Sequence, residues 1–545
     1  MTIFAKNASR MWSLVRHANR AGVGAALLVF AQVLLAPAGA TGQAAPQGAT
    51  ARLAGVSVAN DTLGTAIPRT FVGFSLEVST AGQGIGAFQG AAGPGGAAQP
   101  AEQPVYALGH PGSPNQGFFR FMRNLGPGIL RLGGNSQDNS CWDRAHAPLP
   151  AACQADVGAG DLRLFSEAAG ASGWQLIVGL NLKQNSPAWA LGEVTEGVAR
   201  EIPSERVFAL EPGNEPDLFT RTPYRPQAYS AADQAQEFLA YLRAFEANAV
   251  ARRYAVVGPA TCCGWRKPGD LGVFVDGVGR ERLTWLTVHN YSATTCGGQT
   301  VSIARLLSAE LMDGFNREVI PLVAVARERG LPIAMAETNS ASCGGMPGVS
   351  NAFSSALWGL DYAFSLAVDG FVNVDYHISY RPGGGSSYNP VDTYGRRDAS
   401  GRWQYRNVAE PLYYALYLFT RYASGARLLP AMVESGANVR AYAVSGCAGC
   451  AVSVFVLNKD TSGSGPVRVH LARGMGGAML LLLDAPSLGS PAAEVRYGGR
   501  QFDSDGAIAQ PRTTAVEPDG SGDYTFTLPT AAIAVLTIQP ARAGR

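Results

Sequence analysis

The chain reads as an α/β protein, a (β/α)8 barrel of the TIM type followed by a C-terminal β-sandwich. Between Phe71 and His377, eight short apolar or β-branched runs recur, each followed by a longer stretch of helical period. From about Arg427 the helical period gives way to alternating strands separated by turn signals. The 545 residues, 47% apolar and 15% charged, are enough to bury a large core spread over more than one domain.

The first forty residues stand outside that fold. Lys6, Arg10, Arg16 and Arg20 precede an apolar run from Ala21 to Ala36, and Ala38-Gly39-Ala40 supplies a small-residue cleavage site. The run is short for a spanning helix and contains Gln32, so 1–40 is expected to be a secretory signal peptide rather than a membrane anchor. Its removal takes four of the 43 basic residues and none of the 41 acidic ones, leaving a formal charge of −2. A surface so close to neutral steers toward neither nucleic acid nor an anionic membrane. The expected address is secreted or periplasmic.

Residues 41–70 hold one strand-like run, ARLAGVSV, which precedes the barrel and is expected to pair with the sandwich. The barrel is assigned to 71–425. Its strand runs begin at Phe71, Ile129, Gln175, Val207, Tyr254, Leu283, Pro332 and Gly370. The segments Ala232 to Arg253 and Ile303 to Arg329 read as outer helices, the second stopped by Gly330-Leu331-Pro332. A doubly wound open sheet would carry a phosphate-binding glycine turn after its first strand, and none is visible. Ala81 to Pro104, rich in Gly, Ala, Gln and Pro, reads as an irregular insertion. The sandwich is assigned to 426–545.

All eight cysteines follow the leader, an even number in a chain directed to an oxidising compartment, so disulfides are the default. Cys141 with Cys153 and Cys447 with Cys450 are near enough to close local loops, and Cys296 with Cys343 requires two loops to meet. Adjacent Cys262 and Cys263 have no identifiable base nearby, which argues for disulfide bonding over a thiol nucleophile. No second pair accompanies Cys447–Cys450 at metal spacing. Neither a metal nor a cofactor is expected.

In this barrel type, catalytic groups project from the carboxyl ends of the strands. Glu215 ends the fourth run in LEPGNEP, and Glu337 ends the seventh in MAETNS. Two carboxylates across one barrel mouth suit glycoside cleavage, in which one protonates the leaving oxygen and the other acts at the anomeric carbon. Glu211, nearer the strand body, is left a supporting role or none.

Taken in order, GFSLE, ILRLGGNS, EPGNEPD, VHNY and AETNS resemble glycoside hydrolase family 79, the β-glucuronidase and heparanase family. The resemblance covers roughly Ala51 to the C-terminus. It implies that Glu215 is the acid/base, Glu337 the nucleophile, Asn214 a donor to the sugar 2-hydroxyl, and Tyr291 the residue that holds the nucleophile. It further places Glu77 and Asn135 at distal sugar hydroxyls. Gly344, Gly345 and Tyr388 fall where the family holds a C6 carboxylate, although Cys343 interrupts that loop. For the two glycines a plain turn stands beside a carboxylate nest as a reading. His289 and His377, ending strands six and eight, either line the mouth or make structural hydrogen bonds. Trp142, Trp265 and Tyr224 either stack on sugars or pack internally.

The implied activity is retaining hydrolysis of β-linked glucuronic acid; the expected partner is a carbohydrate substrate, a uronic-acid-containing glycan or glucuronide, with no nucleic acid and no stable membrane span after signal cleavage. An endo-acting heparanase-like enzyme, an exo-glycosidase for xylose or glucose, and a non-catalytic carbohydrate-binding barrel are the alternatives.

Overall fold

The computed structural model describes residues 53–78, 102–142, 153, 155–221, 224–380 and 386–541. The expected leader, 1–40, and residues 81–101 of the expected insertion lie outside the described residues.

Eight parallel strands form the barrel: Val72–Glu77, Ile129–Gly133, Gln175–Leu180, Val207–Pro212, Val257–Thr261, Trp285–His289, Ile333–Thr338 and Asn373–Ile378. They follow the eight apolar runs in chain order. Neighbours pair from strand five through six, seven, eight, one, two and three to four. A bridge between Leu210 and Val256, with Leu210 N–H donating to Ala255 O at 2.9 Å, brings strand four back to strand five and closes the ring. Nearly every strand residue is buried, since the barrel interior covers one face and the helices the other. That two-sided burial is why the runs are continuously apolar instead of alternating.

The helices begin where the sequence supplies caps. Ser230 and Asp233 form a reciprocal capping box at Ala231–Glu246. The segment expected as one helix from Ile303 is two, Ile303–Leu307 and Ala309–Glu328. Ser308 separates them, taking an extended conformation and accepting from Leu311 N–H through its hydroxyl. Gly330, at φ 65°, ends the longer helix.

The end of the expected irregular insertion is ordered. Gln103–Pro104 is the third strand of a small antiparallel sheet, set against Tyr394 and Gly395. Its place at the sheet edge is where proline can be accommodated.

After the barrel come a seven-stranded and a four-stranded sheet sharing one apolar core, which includes Val454, Ala534 and Leu536 from the first and Val467 and Tyr524 from the second. Ala54–Val58, although it precedes the barrel, lies inside the four-stranded sheet. It runs antiparallel to Ala431–Glu434 and parallel to Gly465–Leu471. The barrel helix Phe353–Asp369 packs on this region. Phe364 stacks on Tyr442 with ring centroids 4.5 Å apart, and Asp361 accepts from Tyr442 Oη at 2.6 Å and from Lys459 Nζ.

All eight cysteines are bonded: Cys141–Cys153, Cys262–Cys263, Cys296–Cys343 and Cys447–Cys450. Among the described residues, no helix is long and apolar enough to cross a membrane.

Candidate active site

A cavity of about 880 Å3 opens among the carboxyl ends of the strands, with Glu77, Glu215, His289, Tyr291, Glu337 and Tyr388 among its lining residues. One carboxylate oxygen each of Glu215 and Glu337, and a ring nitrogen of His289, lie within 4.8 Å of one another.

Glu215 reaches this place through a backbone that turns sharply after strand four. Gly213 has φ 88°, a left-handed conformation that favours glycine, and a Cβ there would press on the Leu182 side chain at 2.7 Å. Glu215 is itself left-handed at φ 49°, and its N–H donates to Ala260 O at 2.8 Å. Between them, Asn214 is fixed by its N–H donating to buried Asp138 at 2.8 Å and by its side-chain oxygen accepting from Arg131 at 2.9 Å. The Asn214 amide nitrogen is therefore the side-chain atom not used by Arg131.

Glu337 has both oxygens occupied. Tyr291 Oη donates to one at 2.9 Å, and Arg131 donates to the other at 3.0 Å. Burial pushes this carboxyl upward, but the charges of His377, His289 and Arg131 and the Tyr291 hydroxyl outweigh it and hold the group down at about 2. His289 is itself lowered to about 4, first by burial and then by the charge of Arg131. At neutral pH it carries no charge, so Arg131, Tyr291 and His377 sustain the ionised Glu337. His377, which burial would lower, is held above its ordinary value by Glu337 and Glu77.

Glu215 is driven the other way. Burial, followed by the negative charges of Glu337 and Asp217, raises it well above the usual carboxylate range, and Arg131 and His377 offset this only in part. Its nearest partner is His289 Nδ1 at 3.1 Å. Neutral imidazole can accept the proton of a protonated Glu215 at that distance, so the site keeps one neutral and one ionised carboxyl side by side.

Arg131 is the residue that sequence reasoning missed. Fully buried in strand two, it donates to Glu211 at 2.5 Å, Ser75 at 3.1 Å, Glu337 at 3.0 Å and Asn214 at 2.9 Å. Glu211 thereby has its supporting role, as the buried counter-charge of Arg131. The available signal was a charge in the middle of the apolar run ILRLGGN, where only a paired cation is tolerated.

Glu77 faces the cavity while accepting from the N–H groups of Asn135 at 3.3 Å and Ser136 at 2.8 Å. Asn135 lines the cavity with an exposed side chain, and Tyr388 lines it while buried. Both histidines are in the mouth: His289 against Glu215, and His377 with its ring nitrogens 3.6 Å from Glu77 and 3.8 Å from Glu337. The two glycines lie beside the cavity wall and not in it. Ser342 and Cys343 form the wall there, whereas neither Gly344 nor Gly345 is among the lining residues. The Gly345 N–H is used within its own turn, donating to Ala341 O at 3.2 Å, and the Gly344 carbonyl accepts from Ser387 N–H at 2.7 Å. A turn whose polar groups are satisfied locally is the reading that fits Gly345.

None of Trp142, Trp265 and Tyr224 lines the cavity. Trp142 is buried in the core, Trp265 packs on Tyr229 at 5.3 Å, and Lys183 Nζ sits 3.8 Å from the ring centroid of Tyr224. Glu215, His289 and Glu337 are the donor set among the described residues with spacing for a metal ion. In that set His289 Nδ1 is already bonded to Glu215.

No protein-family model matches the chain. It is similar to a β-glucuronidase of Neurospora crassa, 27% identical over 206 residues that make up 34% of this chain and 36% of that protein. It is also similar to a β-glucuronidase of Aspergillus niger, 24% identical over 285 residues, 48% of this chain and 52% of that protein. The matched regions thus span about a third to a half of the length of these curated relatives. Among solved structures, a 4-O-α-L-rhamnosyl-β-D-glucuronidase from Fusarium oxysporum superposes with a TM-score of 0.67 at 19% identity, covering 89% of this chain and 100% of that one. A family 51 arabinofuranosidase from Xanthomonas axonopodis pv. citri gives 0.62 at 14% identity, covering 89% and 99%. At these identities, the solved structures establish the fold.

Proposed function

We propose that the chain is a glycoside hydrolase that removes β-linked glucuronic acid with retention of configuration. The observation that carries this reading is the approach of Glu215 to Glu337, oxygen to oxygen within 4.8 Å, in surroundings that push the first toward its protonated form and the second toward its ionised one. A spacing of about 5 Å leaves no room for a water between the carboxylates and suits direct attack, whereas inversion uses a wider gap of about 6.5–9.5 Å.

In the first step, Glu337 attacks the anomeric carbon while Glu215 gives its proton to the departing glycosidic oxygen. A glycosyl ester on Glu337 results. Once esterified, Glu337 carries no charge, and one of the causes that raise Glu215 disappears. The Glu215 carboxylate then accepts a proton from the water that resolves the ester. Tyr291 and Arg131 hold the nucleophile ionised and oriented, and the Asn214 amide is free to donate to the 2-hydroxyl as charge develops at the ring. The two β-glucuronidase relatives support the glycon, with Tyr388 as the group here that can face a C6 carboxylate. Four disulfides support an oxidising, extracytoplasmic location.

The test is release of p-nitrophenol from the β-glucuronide, galacturonide, glucoside and xyloside, with Glu215→Gln and Glu337→Gln as controls. Preference for the glucuronide, lost in both variants, is expected. Turnover of a neutral sugar alone would overturn the glycon, and product of inverted configuration would overturn the mechanism.

A further inference from the structure

We propose that the Cys262–Cys263 disulfide is the apolar platform of the leaving-group subsite, binding the flat C–H face of a pyranose or the face of an aryl ring. The proposal rests on the glycosidase reading and deepens it. Both cysteines line the cavity beside Glu215. Glu215 hands its proton to the leaving oxygen, so the wall next to it is where the leaving group lies. Cys262 is buried, whereas Cys263 is exposed in the cavity wall.

The turn that carries the pair offers the cavity little hydrogen-bonding capacity. The N–H groups of Cys262, Cys263 and Gly264 all donate to the Asp217 carboxylate, at 3.1, 2.7 and 2.6 Å. No N–H of these three residues is left for the cavity, and beside the backbone carbonyls the two bonded sulfurs and their methylenes form a polarizable apolar surface without a donor. Polar groups line the same cavity. Arg266 is held by the carbonyl of His289 at 3.2 Å and by Glu318 at 2.6 Å, and Arg221 also lines the cavity. An apolar surface with fixed polar groups at its edge is the pattern that binds a ring by its face and its hydroxyls by their rim. No tryptophan serves here, since Trp265 is packed on Tyr229.

The platform is also registered to the acid. Asp217, which collects the three N–H groups, belongs to the short turn Pro216–Leu218 directly after Glu215. On the other side, Glu215 N–H is bonded to Ala260 O, two residues before Cys262. A ring lying on the disulfide is therefore placed relative to the proton it must receive.

The experiment compares two substrates with one glycon, p-nitrophenyl β-glucuronide and β-glucuronyl fluoride, the second having no leaving group large enough to reach the disulfide. In Cys262→Ser/Cys263→Ser, the ratio of kcat/KM for the aryl substrate to that for the fluoride is expected to fall about tenfold, mainly through KM. An unchanged ratio, including an equal loss on both substrates, would overturn the proposal. Should the double variant not fold, acceptor capture by the wild-type enzyme decides the matter. With the fluoride as donor, methyl β-glucopyranoside is expected to intercept the glycosyl-enzyme about tenfold better than glycerol, and equal capture would overturn the platform. If the wild type acts on xylosides and not glucuronides, the glycon assignment fails alone, and the same ratio on the xylosyl pair decides the platform.

Discussion

Arg131 and Lys459 are both completely buried cations, one in the barrel mouth and one where the barrel meets the sandwich. Lys459 meets a single carboxylate, Asp361, which also accepts from Tyr442, and the three tie a barrel helix to the sandwich. Arg131 is shared among Glu211, Glu337, Ser75 and Asn214, two carboxylates and two neutral groups. The difference separates a fastener from a device. One cation is neutralised by its partner, whereas the other is distributed so that a neighbouring carboxylate stays ionised beside a second that does not.

The sharpest attempt to break this comparison is at the carboxylates themselves. Glu337→Gln is expected to reduce kcat/KM on p-nitrophenyl glucuronide by about 10^4-fold, and external azide should not restore the β-linked product. Arg131→Met comes next. It removes the donor to Glu337 and leaves Glu211 buried without its cation, so a loss of about 10^2- to 10^3-fold in kcat/KM is expected together with destabilisation of about 3–5 kcal/mol. Steady-state kinetics and denaturant unfolding on one preparation measure both; destabilisation with unaltered kinetics would reduce Arg131 to a fastener too.

Lys459→Met should show the reverse pattern. Unfolding is expected to become easier by about 3–5 kcal/mol while kcat stays within about twofold, and adding Asp361→Leu should recover much of the stability. The smallest effect is on titration. Glu337→Gln removes a negative charge facing Glu215, so the Glu215 pKa is expected to fall, which carboxyl-labelled glutamate can follow by NMR. Glu337 is lowered in the folded state, so it contributes stability above its unfolded pKa of about 4.3, and that contribution is lost as pH falls through about 2. The glutamine variant should lack this part of the acid limb.

The eight barrel strands were legible because each is buried on both faces and therefore written as an unbroken apolar run. Glu215 and Glu337 were legible because a carboxylate ending such a run must emerge at the barrel mouth. Arg131 was not, because its meaning lies in Ser75, Glu211, Asn214 and Glu337, three other strands and a turn brought together only by closure of the ring. Gly344 and Gly345 suggested a nest for an anion, but nothing local to the sequence says that the Gly345 N–H is used by Ala341. The single helix read from Ile303 failed for a local reason, a serine that caps instead of continuing. Cys262 and Cys263 were readable as disulfide-bonded cysteines, but neither their bond to each other nor the surface it makes was, since the turn that carries them is held by Asp217.

Ala54–Val58 carries a consequence for how the molecule is made. Gly55 pairs with Glu434 on one side and Arg468 on the other. This strand, made before the barrel, thus has both its hydrogen-bonding edges reserved for segments synthesised several hundred residues later, after the whole ring of eight has passed. Until then it is an open template for any other extended chain. Truncations that stop before Ala431 would leave that template exposed for good, so a minimal folded fragment must begin after this strand or extend past Leu471.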